Sequence, residues 1–152
     1  MSKDNTVGRI PSKIDCAYIA GLIDADGAIM ASIEQHLGKK FGFRIRVVIK
    51  ITQKNPEILQ WIYKTLSVGY IAQNRSAIDW VVKGQKEAEY ILNLIIGYLK
   101  GKRKQAQIAL KILRLEVNCH DNLLRKAQLA DAIGLLNVRS KNRRKNFASM
   151  IN

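Results

Sequence analysis

The chain contains little that could staple it, little that could ligate a soft metal, and no segment that could span a bilayer. Its 152 residues include two cysteines, Cys16 and Cys119, far apart and without C-x-x-C spacing. That excludes a disulfide framework and a zinc–thiolate site, and the pair reads as buried thiols in a reducing compartment. The two histidines, His36 and His120, are as remote from each other and have no ligand residues nearby, so metal binding through them is not expected. No apolar run reaches the roughly 20 residues of a membrane helix, and no membrane partner is expected. Residues 1–11 are polar and short, a flexible arm and not a targeting peptide. Residues 12–152 are long enough for a single domain with a real core, and an intracellular location is expected.

Acidic residues are also scarce. Twelve Asp and Glu stand against 26 Lys and Arg, a formal charge of +14, while 47% of residues are hydrophobic. The apolar content excludes general disorder. The charge does not define a fold, but it predicts attraction to a polyanion. Nucleic acid is the commonest soluble candidate, with ribosomes and anionic membrane surfaces as alternatives.

What is present begins with Ser12-Lys13-Ile14-Asp15, which has the pattern of a capping box and predicts a helix over 14–26 that Gly27 stops. That helix is apolar almost all round and must be buried on more than one side. Alternation predicts a strand over 28–34, then a loop over 35–40. A longer strand over 41–53 puts Phe43, Ile45, Val47, Ile49 and Ile51 on one face and Arg44, Arg46, Val48, Lys50 and Thr52 on the other. Asn55 as cap with Pro56 at the first helical position starts a second helix, to residue 66. A strand pair over 68–73 and 78–83 turns around Asn74-Arg75-Ser76. Helices over 85–98, 105–117 and 122–136 precede a basic tail over 139–145. The order predicts an α+β layer, a four-stranded antiparallel sheet with helices on one face and a bare, positive saddle on the other.

Two features of this pattern carry chemistry. Asp24 and Asp26 close the first helix two residues apart. Paired carboxylates at the negative end of a helix dipole are costly without a nearby cation, which points to a metal ion. Phosphodiester hydrolysis needs an activated water and neutralisation of developing charge, and oxygen-liganded Mg²⁺ supplies both. The second feature is the saddle. A two-stranded antiparallel ribbon fits the major groove of DNA, so exposed strand positions become reading heads. These are Ser32, Glu34, Arg44, Arg46 and Lys50 on the first strand pair, and Ala72, Asn74, Asp79, Val81 and Lys83 on the second. His36, Lys39 and Lys40 in the loop would extend the footprint, and Lys141, Arg143, Arg144 and Lys145 in the tail would touch phosphates. Arg44, Arg46 and Lys50 put three like charges on one face, which is unfavourable without an anionic partner.

The string Ile19-Ala20-Gly21-Leu22-Ile23-Asp24-Ala25-Asp26-Gly27 matches the motif that names the LAGLIDADG homing endonucleases at every position but the first. The αββαββα order over 12–117 resembles that family too. Val68-Gly69-Tyr70 and Lys100-Gly101-Lys102-Arg103-Lys104-Gln105-Ala106 are similar to segments of its homodimeric subgroup. The resemblance implies a site-specific, metal-dependent DNA endonuclease that leaves 3′ overhangs in a long pseudo-palindromic site. Its alternatives are a maturase that assists group I intron RNA, or a non-cleaving DNA-binding module. It implies Asp26 as metal ligand with help from the Ala25 carbonyl, Gln53 positioning water, and Lys102 near the scissile phosphate. It implies Mg²⁺, with Mn²⁺ substituting and Ca²⁺ binding without supporting cleavage. One departure is visible: a family arginine falls at or near Glu57, where the sign is reversed, so that Lys54 substitutes or activity is reduced. Such proteins are often encoded in organellar or archaeal introns, so a chloroplast, a mitochondrion or archaeal cytoplasm is expected.

Ala17, Gly21 and Ala25 recur every fourth residue and line one helix face. Small side chains allow a second helix to approach, either within the domain or from another copy. In the family this helix forms the interface between two αββαββα units. A second motif copy within the chain would serve as well. Gln128-Leu129-Ala130-Asp131-Ala132-Ile133-Gly134 is only faintly similar and lacks the acidic pair. A homodimer is therefore expected.

Overall fold

A computed structural model describes residues 10–137 and 147–151. The expected N-terminal arm lies largely outside these residues, and so do Lys141, Arg143, Arg144 and Lys145. The first helix, α1 (Lys13–Asp26), starts where Ser12 Oγ accepts the backbone N–H of Asp15 at 3.1 Å, a cap that contributes about 1 kcal/mol. It buries Cys16, Ile19, Ala20 and Ile23.

With no residue between them, α1 passes into β1 (Gly27–Gln35). Gly27 is extended, with φ −104°, so no left-handed turn stops the helix. The glycine is needed for closeness instead. A Cβ there would lie 2.7 Å from Ile23 Cα, 2.9 Å from Ile23 O and 3.0 Å from Lys50 O. The chain then runs through β2 (Phe43–Gln53), α2 (Pro56–Leu66), β3 (Tyr70–Asn74), β4 (Ala77–Val82), α3 (Gln85–Ile95), α4 (Arg103–Arg114) and α5 (His120–Asn137). A 3-10 turn, Ala148–Met150, follows.

The sheet order is β1-β2-β4-β3, every pairing antiparallel. As the alternation predicts, Ile45, Val47, Ile49 and Ile51 are buried beneath the helices. Trp80 and Val82 of β4 and Ile29 of β1 join them in one core with α1 to α5. The other face carries Ala28, Met30, Ser32 and Glu34 opposite Lys50, Val48, Arg46 and Arg44 respectively.

Several boundaries differ from expectation. β2 begins at Phe43 because Gly42, at φ +77°, donates its N–H to Lys39 O at 3.0 Å and closes a turn. α3 ends at Ile95, where the chain continues in tighter turns such as Tyr98 N to Ile95 O at 2.9 Å. Cys119, expected to be buried, is exposed. In the β3 approach, Gly69 adopts φ +80°, and a Cβ there would meet Val81 O at 2.6 Å. That close approach lets the Trp80 indole donate to Val68 O at 3.0 Å from inside the core.

Candidate active site and nucleic-acid interface

The two terminal carboxylates of α1 diverge. Asp24 is tied into its own chain: one oxygen accepts the N–H of Lys100 and the other that of Lys102, both at 2.8 Å. Burial pushes its pKa up, but the N–H groups of Lys100, Gly101 and Lys102 and the Lys102 charge outweigh burial and hold the group below its ordinary value. Lys102 Nζ in turn donates to the Asp24 carbonyl at 2.8 Å. The cation that two clustered acids and a helix C-terminus call for is therefore already supplied by Lys102, so the clustering alone does not require a metal.

Asp26 is exposed and free of that network. Among the described residues its carboxylate accepts one hydrogen bond, from Gln53 Nε2 at 2.7 Å. The end of α1 and the end of β2 thus place Asp26 and Gln53 side by side. Asp26, Ala25 and Lys102 line one open cavity of about 670 Å³, with Thr52, Gln105 and Asn137. The last two escaped sequence reading. Gln105 is buried and donates to Asn137 Oδ1 at 3.2 Å, and Asn137 Nδ2 donates to Ile29 O at 2.8 Å, on edge strand β1. A lone amide in a helix carries no signal of such a role.

The donors fit a hard cation: a carboxylate with a free oxygen and the backbone end of α1 offer oxygen alone. Among the described residues no three His, Cys, Asp or Glu side chains converge. One chain would thus leave most of the coordination shell to water, substrate oxygens or a second copy. Glu57 and Lys54 stand apart. Glu57 donates its backbone N–H to the Asn55 cap at the start of α2 and lines a cavity with Tyr18 and Trp61, and neither residue bonds to Asp26 or Gln53 among the described residues.

The saddle carries the expected cations, but they are not unopposed. Glu34 Oε2 lies 2.7 Å from Arg44 and 3.4 Å from Arg46. Asp79 lies 3.8 Å from Lys50 Nζ. Glu34 and Asp79 thus supply part of the anionic partnership that the three like charges call for, which weakens the inference from that clustering to a bound polyanion. Asp79 and Val81, expected to be exposed, are only 7% and 6% exposed. Asp79 sits between β2 and β3, accepting from Thr52 Oγ1 at 2.6 Å and Asn74 Nδ2 at 3.1 Å. It organises its neighbours and leaves little of itself to a groove. Ser32 and Ala72 are half-buried on the same face, and Lys83 is exposed with its ammonium 6.0 Å from the Tyr70 ring. In the loop, Lys39 and Lys40 are exposed and His36 is half-buried. Ala17, Gly21 and Ala25 form an exposed stripe along α1, and a Cβ on Gly21 would meet nothing within 4 Å.

A helix ending in a free acid above a cationic antiparallel saddle is the arrangement of one nuclease class. The model of the LAGLIDADG endonuclease family matches residues 19–114, and the chain belongs to that family. Among its relatives, DNA endonuclease I-CreI of Chlamydomonas reinhardtii is 32% identical over 98 residues, 63% of this chain. The matched part spans 60% of that enzyme's length. DNA endonuclease I-CvuI of Chlorella vulgaris is 32% identical over 125 residues, 79% of this chain and 78% of that one. The crystal structure of I-CvuI with its target and 2 mM Ca superimposes with a TM-score of 0.82 at 30% identity, covering 91% of this chain and 90% of that one. I-CvuI has also been crystallised on the I-CreI target with 2 mM Mg, the DNA not cleaved. The archaeal intron-encoded I-Vdi141I, complexed with DNA, gives 0.78 at 25% identity over 91% of this chain and 94% of that one.

Proposed function

We propose that two copies of this chain form a homing endonuclease that makes a double-strand break, with 3′ overhangs, in a long pseudo-palindromic DNA site. The observation that carries this reading is Asp26. Its carboxylate is exposed, oriented by Gln53, and set at the root of a strand pair that bears Arg44, Arg46 and Lys50. Small residues on the open face of α1 let a second α1 approach, which would bring two Asp26 groups to the middle of one duplex.

Magnesium held by Asp26 and the Ala25 carbonyl would lower the cost of forming a nucleophile and of charge on the leaving oxygen. The chain's own residues do the rest. Gln53 holds one carboxylate oxygen by its N–H and leaves the other outward. Lys102, anchored on the end of α1, adds fixed positive charge where negative charge develops on phosphate. Asp24 fixes the backbone from which Lys102 projects. Arginine and lysine of the saddle suit guanine edges.

The test is incubation of the protein with DNA carrying its native insertion site. Cleavage is expected with Mg²⁺ or Mn²⁺, and binding without cleavage with Ca²⁺. Asp26→Asn should abolish cutting, by a thousandfold or so given the cost of losing one charge-stabilising group, and retain binding. A wild-type protein that binds intron RNA and never nicks this DNA would overturn the reading.

A further inference from the structure

At the end of β1 opposite to Asp26, a second cavity of about 340 Å³ opens between the loop after β1 and helix α5. Lys39 and Lys40 reach it from the loop, Arg44 from the start of β2 and Lys126 from α5, over an apolar floor. Among the described residues Glu116 is its single acidic lining residue. The contrast with the saddle is in the pairing. Arg44 and Arg46 have Glu34, and Lys50 has Asp79. Among the described residues no carboxylate lies within 4.0 Å of the Lys39, Lys40 or Lys126 ammonium.

Three further observations point to a missing anion. Arg44 Nε is buried with no hydrogen-bond acceptor among the described residues, and a buried unpaired donor of this kind is rare in folded chains. Lys126 is half-buried: burial pushes its pKa below the ordinary lysine range, and the Lys39 charge pushes it the same way. Lys40 is already held in place, its ammonium 5.4 Å from the Phe41 ring. A site that gathers cations, partly dehydrates one and leaves all three lysines without a carboxylate partner among the described residues is unfavourable until an anion enters.

We propose that this cavity anchors a backbone phosphodiester of the bound DNA, beyond the bases that the saddle reads. The proposal rests on the DNA-cutting reading above. Phosphate oxygens suit the chemistry, accepting from an arginine Nε and from several ammonium groups at once. Position favours DNA over a free anion, because the cavity closes the tip of the same ribbon that carries Arg44 and Arg46. β1 has 9 residues, and at ~3.3 Å per residue its tip lies roughly 30 Å from Asp26. At ~3.4 Å per base pair, the anchored phosphate falls about 8 to 9 base pairs from the cut.

The experiment uses duplex selected by the wild-type protein from a randomised pool, bound with Ca²⁺ over a range of salt. Lys126→Met and Lys39→Gln should each weaken binding alike across sequences. Each should reduce the slope of log affinity against log salt by about one unit. Cleavage of fully bound DNA by Lys126→Met should match wild type, and this variant should melt no lower, since it removes a dehydrated charge. In wild type, one neutral methylphosphonate about 8 to 9 base pairs from the cut should weaken binding to the same degree, and add nothing in Lys126→Met. Unchanged slopes in both variants would overturn the anchor while leaving the nuclease intact. So would inorganic phosphate that stabilises wild type, but neither variant, with duplex affinity unaffected. A protein that binds no duplex at all would remove the functional reading and the anchor together.

Discussion

Asp24 and Asp26 are two residues apart on the same helix, yet neighbouring backbone gives them opposite work. Asp24 is a clamp: it accepts N–H groups ahead of α4, at separations of 76 and 78 residues in the chain. Asp26 is left outward with a single donor among the described residues, Gln53. Asp24→Ala should therefore cost about 1 to 2 kcal/mol of stability in urea unfolding, since it strips a charged acceptor from one exposed and one half-buried amide. Asp26→Asn should leave unfolding almost unchanged and strike catalysis. The clamp also sets an acid limit. The folded pKa of Asp24 is held below its ordinary 3.8, so its contribution is fully present above that value and is lost as pH falls through the folded pKa. An acid titration of stability should show this limb in wild type and a flatter one in Asp24→Asn. The pair of acids was legible from the sequence, and so was their place at a helix end. The resemblance already assigned the metal to Asp26 and not to Asp24, but the Lys100 and Lys102 partners that make Asp24 a clamp were not legible, because only the folded chain brings them together.

Among the elements, local chemistry predicted what depends on neighbours in sequence. Ser12 and Asn55 cap their helices as read, and the alternation of β2 separates core from saddle at every position. Alternation says which face a side chain takes but not how deeply it sits. Hence Asp79 and Val81 fall on the expected face and yet are nearly covered. Asp79 is enclosed by its partners Lys50, Thr52 and Asn74. Gln105 and Asn137 were illegible for the same reason as the Asp24 clamp: they meet 32 residues apart in sequence. Gly27 carries the most at this scale. Gly27→Ala would force a Cβ to 2.7 Å from Ile23 Cα and should cost about 2 kcal/mol through overpacking. Displacing α1 from β2 breaks the Asp26–Gln53 contact, so cutting should fall much further than binding. Equal losses of the two would show that the close approach serves stability alone.

For the whole molecule, the open face of α1 decides the outcome. Gly21 has room for a side chain within its own subunit, but a second helix packed on the stripe would leave none. Gly21→Leu should therefore fold and melt like wild type as an isolated chain, and sediment as a monomer on DNA where the proposed pairing requires wild type to sediment as a dimer. Double-strand cleavage should disappear with it. A variant that still pairs and cuts would place the contact between copies elsewhere, for example around Tyr18 and Trp61, whose rings meet edge to face 5.4 Å apart.

The direct passage from α1 into β1 has a further consequence for how such a protein can change its target. With no linker residue between Asp26 and Gly27, the acid and every saddle-facing position on β1 share one phase. A single inserted residue would invert that phase along the strand, turning Ser32 and Glu34 toward the helices and Ile29 toward solvent. New specificities must then arise by exchanging side chains in place, and the interval between the bases read and the bond broken stays fixed like the graduations of a ruler.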